Sequence, residues 1–117
     1  MSVSMQKSPI TTHVLDTARG KPATGLPVTL EYHEGGQWKQ LGKGSTNLDG
    51  RCPDLLPAGA AVKTGTYRIT FDLQGYYTGQ KTFYPFASIV FEVDNSNQHY
   101  HVPLLISGYG YSTYRGT

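Results

Sequence analysis

A chain of 117 residues, 38% hydrophobic and 15% charged, can build one globular core but not two, and is too apolar to be disordered. Its net charge of +2, with no Lys or Arg run interleaved with aromatics, argues against nucleic acid or an anionic membrane as partner. No apolar run approaches the ~20 residues that cross a bilayer, and a single cysteine, Cys52, rules out an intrachain disulfide and fits a reducing compartment.

Fourteen Gly, seven Pro and nine Tyr point to an all-β chain with many turns. Residues 1–8 read as a disordered lead-in, lacking the apolar centre of a secretory signal, and the chain does not end in Ser-Lys-Leu. With no targeting signal, the expected setting is intracellular, in peroxisome or cytoplasm. One domain, 9–117, follows. Pro9 to Asp16 alternates, with Ile10, Thr12 and Val14 on one face and Thr11, His13 and Leu15 on the other. The run 18–25 is rich in turn residues and leads to a strand over Leu26–His33. Glu34-Gly35-Gly36 turns the chain into Gln37–Ser45, and Asn47-Leu48-Asp49-Gly50 marks another turn, directly followed by Arg51. Pro53–Lys63 has little periodicity and is expected to give a short strand and a loop.

Thr66–Leu73 places Tyr67, Ile69, Phe71 and Leu73 together. A short helix fits 74–82, weakened by Gly75 and Gly79, and Phe86–Val93 is a further strand. In the final stretch Tyr100, Val102, Leu104 and Ile106 oppose His99, His101, Pro103, Leu105 and Ser107; beyond a Gly-punctuated turn, Gly110, Ser112 and Tyr114 oppose Tyr111, Thr113 and Arg115. About eight short strands indicate a β-sandwich. Its terminal strand, rich in Tyr, Ser and Thr, is suited to pairing with a second copy of itself. The closing Tyr-Arg suggests an end that is pinned down and used.

His13 and His101 share the non-core faces of their strands, and Arg51 follows a turn. A lone histidine there is ordinarily a solvated surface residue. Together, an imidazole that takes a proton from water and a guanidinium that clamps an oxyanion suit hydrolysis of an anionic polar ring. His13, His99 and His101 could instead form a three-histidine metal site, but no further Cys, Asp or Glu stands at ligand spacing, so neither metal nor cofactor is expected. Cys52 reads as a small buried apolar residue, Trp38 as core or rim, and Tyr114 and Arg115 as interface or surface groups. His33 has no evident partner. Gly108-Tyr109-Gly110 precedes no helix and matches no phosphate cradle.

Three segments, Ser8–Asp16 (SPITTHVLD), Asn47–Pro53 (NLDGRCP) and Tyr100–Leu105 (YHVPLL) with the closing Tyr114-Arg115-Gly116-Thr117, resemble the 5-hydroxyisourate hydrolases, transthyretin-like enzymes of urate breakdown. The resemblance runs from about Ser8 to the last residue. It implies an all-β, transthyretin-like sandwich of two four-stranded sheets with one short helix. It also implies a homotetramer, a dimer of dimers, with active sites in the channels between dimers and a small-molecule substrate, 5-hydroxyisourate. His13, Arg51 and His101 match the family's catalytic motif; His13, Arg51, Ser112 and Tyr114 would bind substrate. A family ending of Tyr-Arg-Gly-Ser sets the hydrolases apart from transthyretin proper, which lacks the His-Arg-His set. The alternative reading is a carrier of thyroid hormone or another aromatic ligand in the same channel. The chain departs from the family at Thr117, where a hydroxyl is kept, and at Gly108, where Pro or a larger residue is usual and a looser turn is expected. Pro103 belongs to the motif, although a mid-strand proline donates no ladder bond.

Overall fold

The computed structural model describes residues 8–117, so the expected lead-in lies outside the described residues except for Ser8, which is buried and donates its hydroxyl to the Ile10 carbonyl at 3.0 Å. Among the described residues eight strands are formed: β1 (Ile10–Asp16), β2 (Lys21–Pro22), β3 (Pro27–Glu34), β4 (Gln37–Ser45), β5 (Gly65–Asp72), β6 (Phe86–Val93), β7 (Tyr100–Ser107) and β8 (Gly110–Thr113). A single short helix, α1 (Leu73–Tyr76), joins β5 to β6. The strands make two four-stranded sheets, ordered β2-β1-β7-β8 and β4-β3-β5-β6. No helix among the described residues is long and apolar enough to cross a membrane.

The alternating faces account for the sandwich. Ile10, Val14, Tyr100, Val102, Leu104 and Ile106 from the first sheet meet Val28, Leu30, Tyr67, Ile69, Phe71 and Val93 from the second, all buried. Burying one such side chain contributes about 1.5–3 kcal/mol.

Three elements differ from expectation, one of them the helix, which occupies Leu73–Tyr76 rather than 74–82. Pro53–Lys63 forms no strand: it is a turn-rich cover whose Leu55 is buried, lying so close over β4 that a Cβ at Gly42 would run into the Leu55 carbonyl. Its two prolines, Pro53 and Pro57, also remove ladder donors. The eighth strand is instead Lys21–Pro22, which pairs with Asp16 and Leu15 inside the stretch that reads as turn. Gly75, which reads as a helix breaker, admits the cap of α1. The Asp72 carboxylate accepts from Gly75 N–H at 2.8 Å, and a Cβ at 75 would stand 2.6 Å from Asp72 Oδ2.

His33 does have a partner. Its ring lies 4.8 Å from that of Trp38, whose other contact is the Arg68 guanidinium at 4.3 Å, itself bonded to Glu31 Oε1 at 2.7 Å. The turn at Gly108 is tied down, its carbonyl accepting from Phe83 N–H at 2.9 Å and from the Thr82 hydroxyl at 3.2 Å.

Below α1, Asp16 is fully buried and accepts from the Tyr76 hydroxyl at 2.8 Å and from the Ala18 and Arg19 N–H groups, each at 3.1 Å. Burial, then the bond to Asp16, push the Tyr76 phenol up to about 12. The Tyr77 hydroxyl is buried with no hydrogen-bond partner among the described residues.

Pro103 is tolerated because of where its missing donor points. Even-numbered β7 residues face β1, as the Thr12 hydroxyl bond to the Val102 carbonyl records at 2.6 Å. Odd ones face β8: the Pro103 carbonyl accepts from the Thr113 hydroxyl at 2.6 Å, and the His101 carbonyl accepts from Gly116 N–H at 2.9 Å. The donor Pro103 lacks therefore falls on the β8 side, where regular pairing stops at Leu104↔Thr113. The chain lifts away over Tyr114 and Arg115 and rejoins at the bridge His101↔Gly116.

Candidate active site

β1 and β7 lie parallel in the register Thr11↔His101, His13↔Pro103 and Leu15↔Leu105, which lines these six residues up on the outer face of the first sheet. Period-two alternation puts them there because their neighbours, Ile10, Thr12, Val14, Tyr100, Val102 and Leu104, fill the core. His13, His101, Leu15 and Leu105 are half-buried. Ser112 joins the same face through its pairing with Leu105.

Arg51 is brought up by the turn before it. The Asn47 side-chain oxygen accepts from Asp49 N–H at 2.9 Å and Arg51 N–H at 3.0 Å, while Asn47 N–H donates to the Arg51 carbonyl at 2.8 Å. Gly50 has φ +77°, and a Cβ there would strike the Val14 carbonyl, so the backbone can lie flush on β1. Val14 N–H then donates to the Gly50 carbonyl at 2.8 Å, and the Arg51 backbone pairs with that of His13 in an isolated antiparallel bridge.

From the other side comes the strap Tyr114–Thr117. A Cβ on Gly116 would stand 2.6 Å from Cδ2 of His101 and 3.2 Å from Cγ of Pro103. The Thr11 hydroxyl sits between two imidazoles, 2.8 Å from His101 Nδ1 and 3.0 Å from His99 Nε2, with the rings 6.4 Å apart and 18° from parallel.

These elements enclose a cavity of about 470 Å³ lined by Ser8, Thr11, Thr12, Arg51, Pro53, Ala58, His99, His101 and Thr117. Arg51 and His101 thus share one cavity. His13 stands beside it, bridged to Arg51 and two residues along β1 from Thr11, roughly 7 Å. Ser112 lines a separate hollow of about 260 Å³ with Thr17, Leu105 and Tyr111. Tyr114 lines another, of about 350 Å³, which it shares with His101, Phe91, Tyr100 and Arg115 at the edge between the sheets. Arg115 is occupied there, its guanidinium 4.4 Å over the Tyr100 ring and bonded to Gln98 at 3.0 Å. Thr11 was not singled out by sequence as a site residue, and His99 only as a member of the three-histidine metal set. Their shared parity with His13 and His101 is visible, but not the adjacency of β1 and β7 that makes them meet.

Among the described residues no group of three or more His, Cys, Asp or Glu side chains could hold a metal ion. Cys52 is buried 3.8 Å from Asp54, and burial, reinforced by that carboxylate, pushes its thiol up to about 11, so it is protonated near neutrality and a poor nucleophile. What remains is an imidazole pair joined through a hydroxyl, at a cavity that Arg51 also lines. Such a set can move a proton and steady an oxyanion.

Residues 10–116 match the model of the HIUase/Transthyretin family. The chain is 47% identical over 119 residues to the 5-hydroxyisourate hydrolase of Mus musculus, covering 98% of this chain and 100% of that one. Among solved structures it is similar to Klebsiella pneumoniae 5-hydroxyisourate hydrolase (TM-score 0.80, 33% identity, 92% of this chain and 98% of that one). It is also similar to sea bream transthyretin in complex with thyroxine (TM-score 0.86, 28% identity, 94% and 96%). With a match from the first strand to the penultimate residue, the chain belongs to the HIUase/Transthyretin family.

Proposed function

We propose that this chain is an enzyme that hydrolyses 5-hydroxyisourate to 2-oxo-4-hydroxy-4-carboxy-5-ureidoimidazoline in urate breakdown, without a metal or cofactor. The observation that carries the reading is the meeting of Arg51 and His101 at one cavity, with the His13 backbone paired to that of Arg51 beside it. An imidazole of the His13–His101 pair takes a proton from water, and the resulting hydroxide attacks the C6 carbonyl. Arg51 holds the anionic ring and the oxyanion that forms. As the intermediate collapses the ring C–N bond breaks, and the imidazolium returns its proton to the leaving nitrogen. Ser112 and Tyr114 complete the substrate contacts once protomers assemble.

Assembly is a homotetramer, a dimer of dimers. Its support is the unpaired edge of β8, the half-exposed Leu15–Leu105 pair on the outer face of the first sheet, and the exposed Phe83, Tyr84, Tyr109 and Tyr111 near the β7–β8 turn. Its place is intracellular, in peroxisome or cytoplasm.

A carrier reading has its own support in the likeness to transthyretin solved with thyroxine. Against it, an apolar ring in this cavity would desolvate Arg51 and two imidazoles without pairing them. Adding purified protein to freshly prepared 5-hydroxyisourate and following ultraviolet absorbance tests the proposal; decay at the spontaneous rate would overturn it. Tight, saturable thyroxine binding by calorimetry with no hydrolysis would favour the carrier.

A further inference from the structure

One hydroxyl serves two imidazoles at this site. Thr11 Oγ1 lies within hydrogen-bond distance of both His101 Nδ1 and His99 Nε2, and a hydroxyl has a single proton to give. When it donates to one ring it accepts from the other, an arrangement that sets the two tautomers in opposition. His101 is half-buried at the cavity, whereas His99 is exposed to solvent.

We infer that Thr11 links His101 to His99 as a proton relay between the cavity and bulk water, making Thr11 a positioning residue and His99 the relay's outer end. In the resting state His101 carries its proton on Nδ1 and donates it to Thr11, whose own hydroxyl proton points at His99 Nε2. His101 is thereby held in the tautomer whose Nε2 accepts a proton from water. Once it has done so, the Nδ1 proton passes to Thr11 Oγ1 as the hydroxyl proton passes to His99 Nε2. The hydroxyl is restored, His101 is neutral with its proton on Nε2, and the charge sits on His99, which exchanges with solvent. Every bond in the relay then points the other way; when the proton returns from His99 Nε2 through the Thr11 hydroxyl to His101 Nδ1, the His101 imidazolium is restored, gives its Nε2 proton to the leaving nitrogen and regains the resting tautomer. Among the described residues, the titratable and charged groups lining the two hollows that His101 shares are Arg51, His99, Glu92, Tyr100, Tyr114 and Arg115, with His13 two residues along β1 from the Thr11 that pairs with it.

The kinetic part of this inference rests on the hydrolase reading; the coupling of the rings does not. Three variants separate the two: Thr11→Val, which keeps the shape without the hydroxyl; Thr11→Ser, which keeps the hydroxyl; and the exposed His99→Ala. Thr11→Val is expected to lower kcat by about tenfold to 100-fold with KM within about twofold, while Thr11→Ser stays within about threefold of wild type. His99→Ala is expected to lose activity like Thr11→Val and to regain it in concentrated imidazole buffer. Imidazole 15N spectra across a pH titration provide the readout that needs no substrate. In wild type the two rings should titrate in linked steps, His101 protonated on Nδ1, and in Thr11→Val they should titrate independently. Identical titrations in wild type and Thr11→Val would overturn the relay, as would wild-type kcat and pH profile in folded Thr11→Val. A wild-type protein that shows linked rings but no hydrolysis would instead overturn the proposed substrate.

Discussion

Replacing Gly116 by Ala tests whether the strap holds the His101 ring in place. Gly116 does not have a positive φ, so alanine introduces no backbone strain and the effect comes from contact alone. The new Cβ would stand 2.6 Å from His101 Cδ2 and 3.2 Å from Pro103 Cγ, against about 3.5–4.0 Å for relaxed carbon contacts. Either the ring withdraws by about 1 Å, or the strap lifts and surrenders the bond from Gly116 N–H to the His101 carbonyl, worth about 1 kcal/mol. The first route pulls Nδ1 away from Thr11, and a displacement of about 1 Å at a reacting group costs on the order of 100-fold. The second route opens the cavity at Thr117. For 5-hydroxyisourate hydrolysis followed by ultraviolet absorbance, kcat/KM should fall about 100-fold, while the urea midpoint moves little because the strap lies outside the core. Wild-type kcat/KM in a folded Gly116→Ala protein would refute the reasoning, and so would a loss of rate that merely tracked a loss of global stability.

Substituting His13, Arg51 or His101 by Ala should each cut turnover by at least ~100-fold, measured in the same assay on protein of unchanged oligomeric state. Tyr76→Phe should lower unfolding free energy by about 1–2 kcal/mol by stripping the buried Asp16 of a donor, whereas Tyr77→Phe, which removes a hydroxyl with no described partner, should be neutral or stabilising by up to about 1 kcal/mol in urea melts. Cys52 holds its proton to about 11 when folded, against an ordinary 9.0, so its contribution is complete below pH 9 and is lost as pH rises through about 11. Thermal melts from pH 8 to 11 should therefore decline in wild type and flatten over that span in Cys52→Ala; native Cys52 should also resist alkylation at pH 8.

Gln37–Ser45 and Phe86–Val93 have the expected limits, and the inward faces of β1, β5 and β7 were legible because burial enforces period two there. What escaped depends on long-range geometry. Lys21–Pro22 becomes a strand only because Leu15 and Asp16 are there to pair with it, and the cover over β4 stays irregular because Leu55 is drawn down onto Gly42. At the site, the parity of His13 and His101 was readable and the turn delivering Arg51 was visible in Asn47–Gly50. That Thr11 stands opposite His101, and so within reach of His99 too, follows from a parallel pairing between segments 90 residues apart in sequence, which no local pattern encodes. The alternation of the last run ends at Thr113 because the proline facing its continuation offers no donor, which is why Tyr114 leaves the Ser112 face.

That parallel pairing of the first and seventh strands also dictates when the site can come into being during folding. The β3–β4 hairpin and the β5–β6 pair join residues close in sequence and can form as they emerge from the ribosome. His101 cannot reach Thr11 until the 90 residues that separate them have been made, and loop closure across that distance makes such contacts late and slow. Nascent chains halted before Tyr100 should therefore carry a formed second sheet and an unmated β1, a hydrophobic strand awaiting its neighbour. Hydrolytic competence would then be acquired in one late step, with the docking of β7.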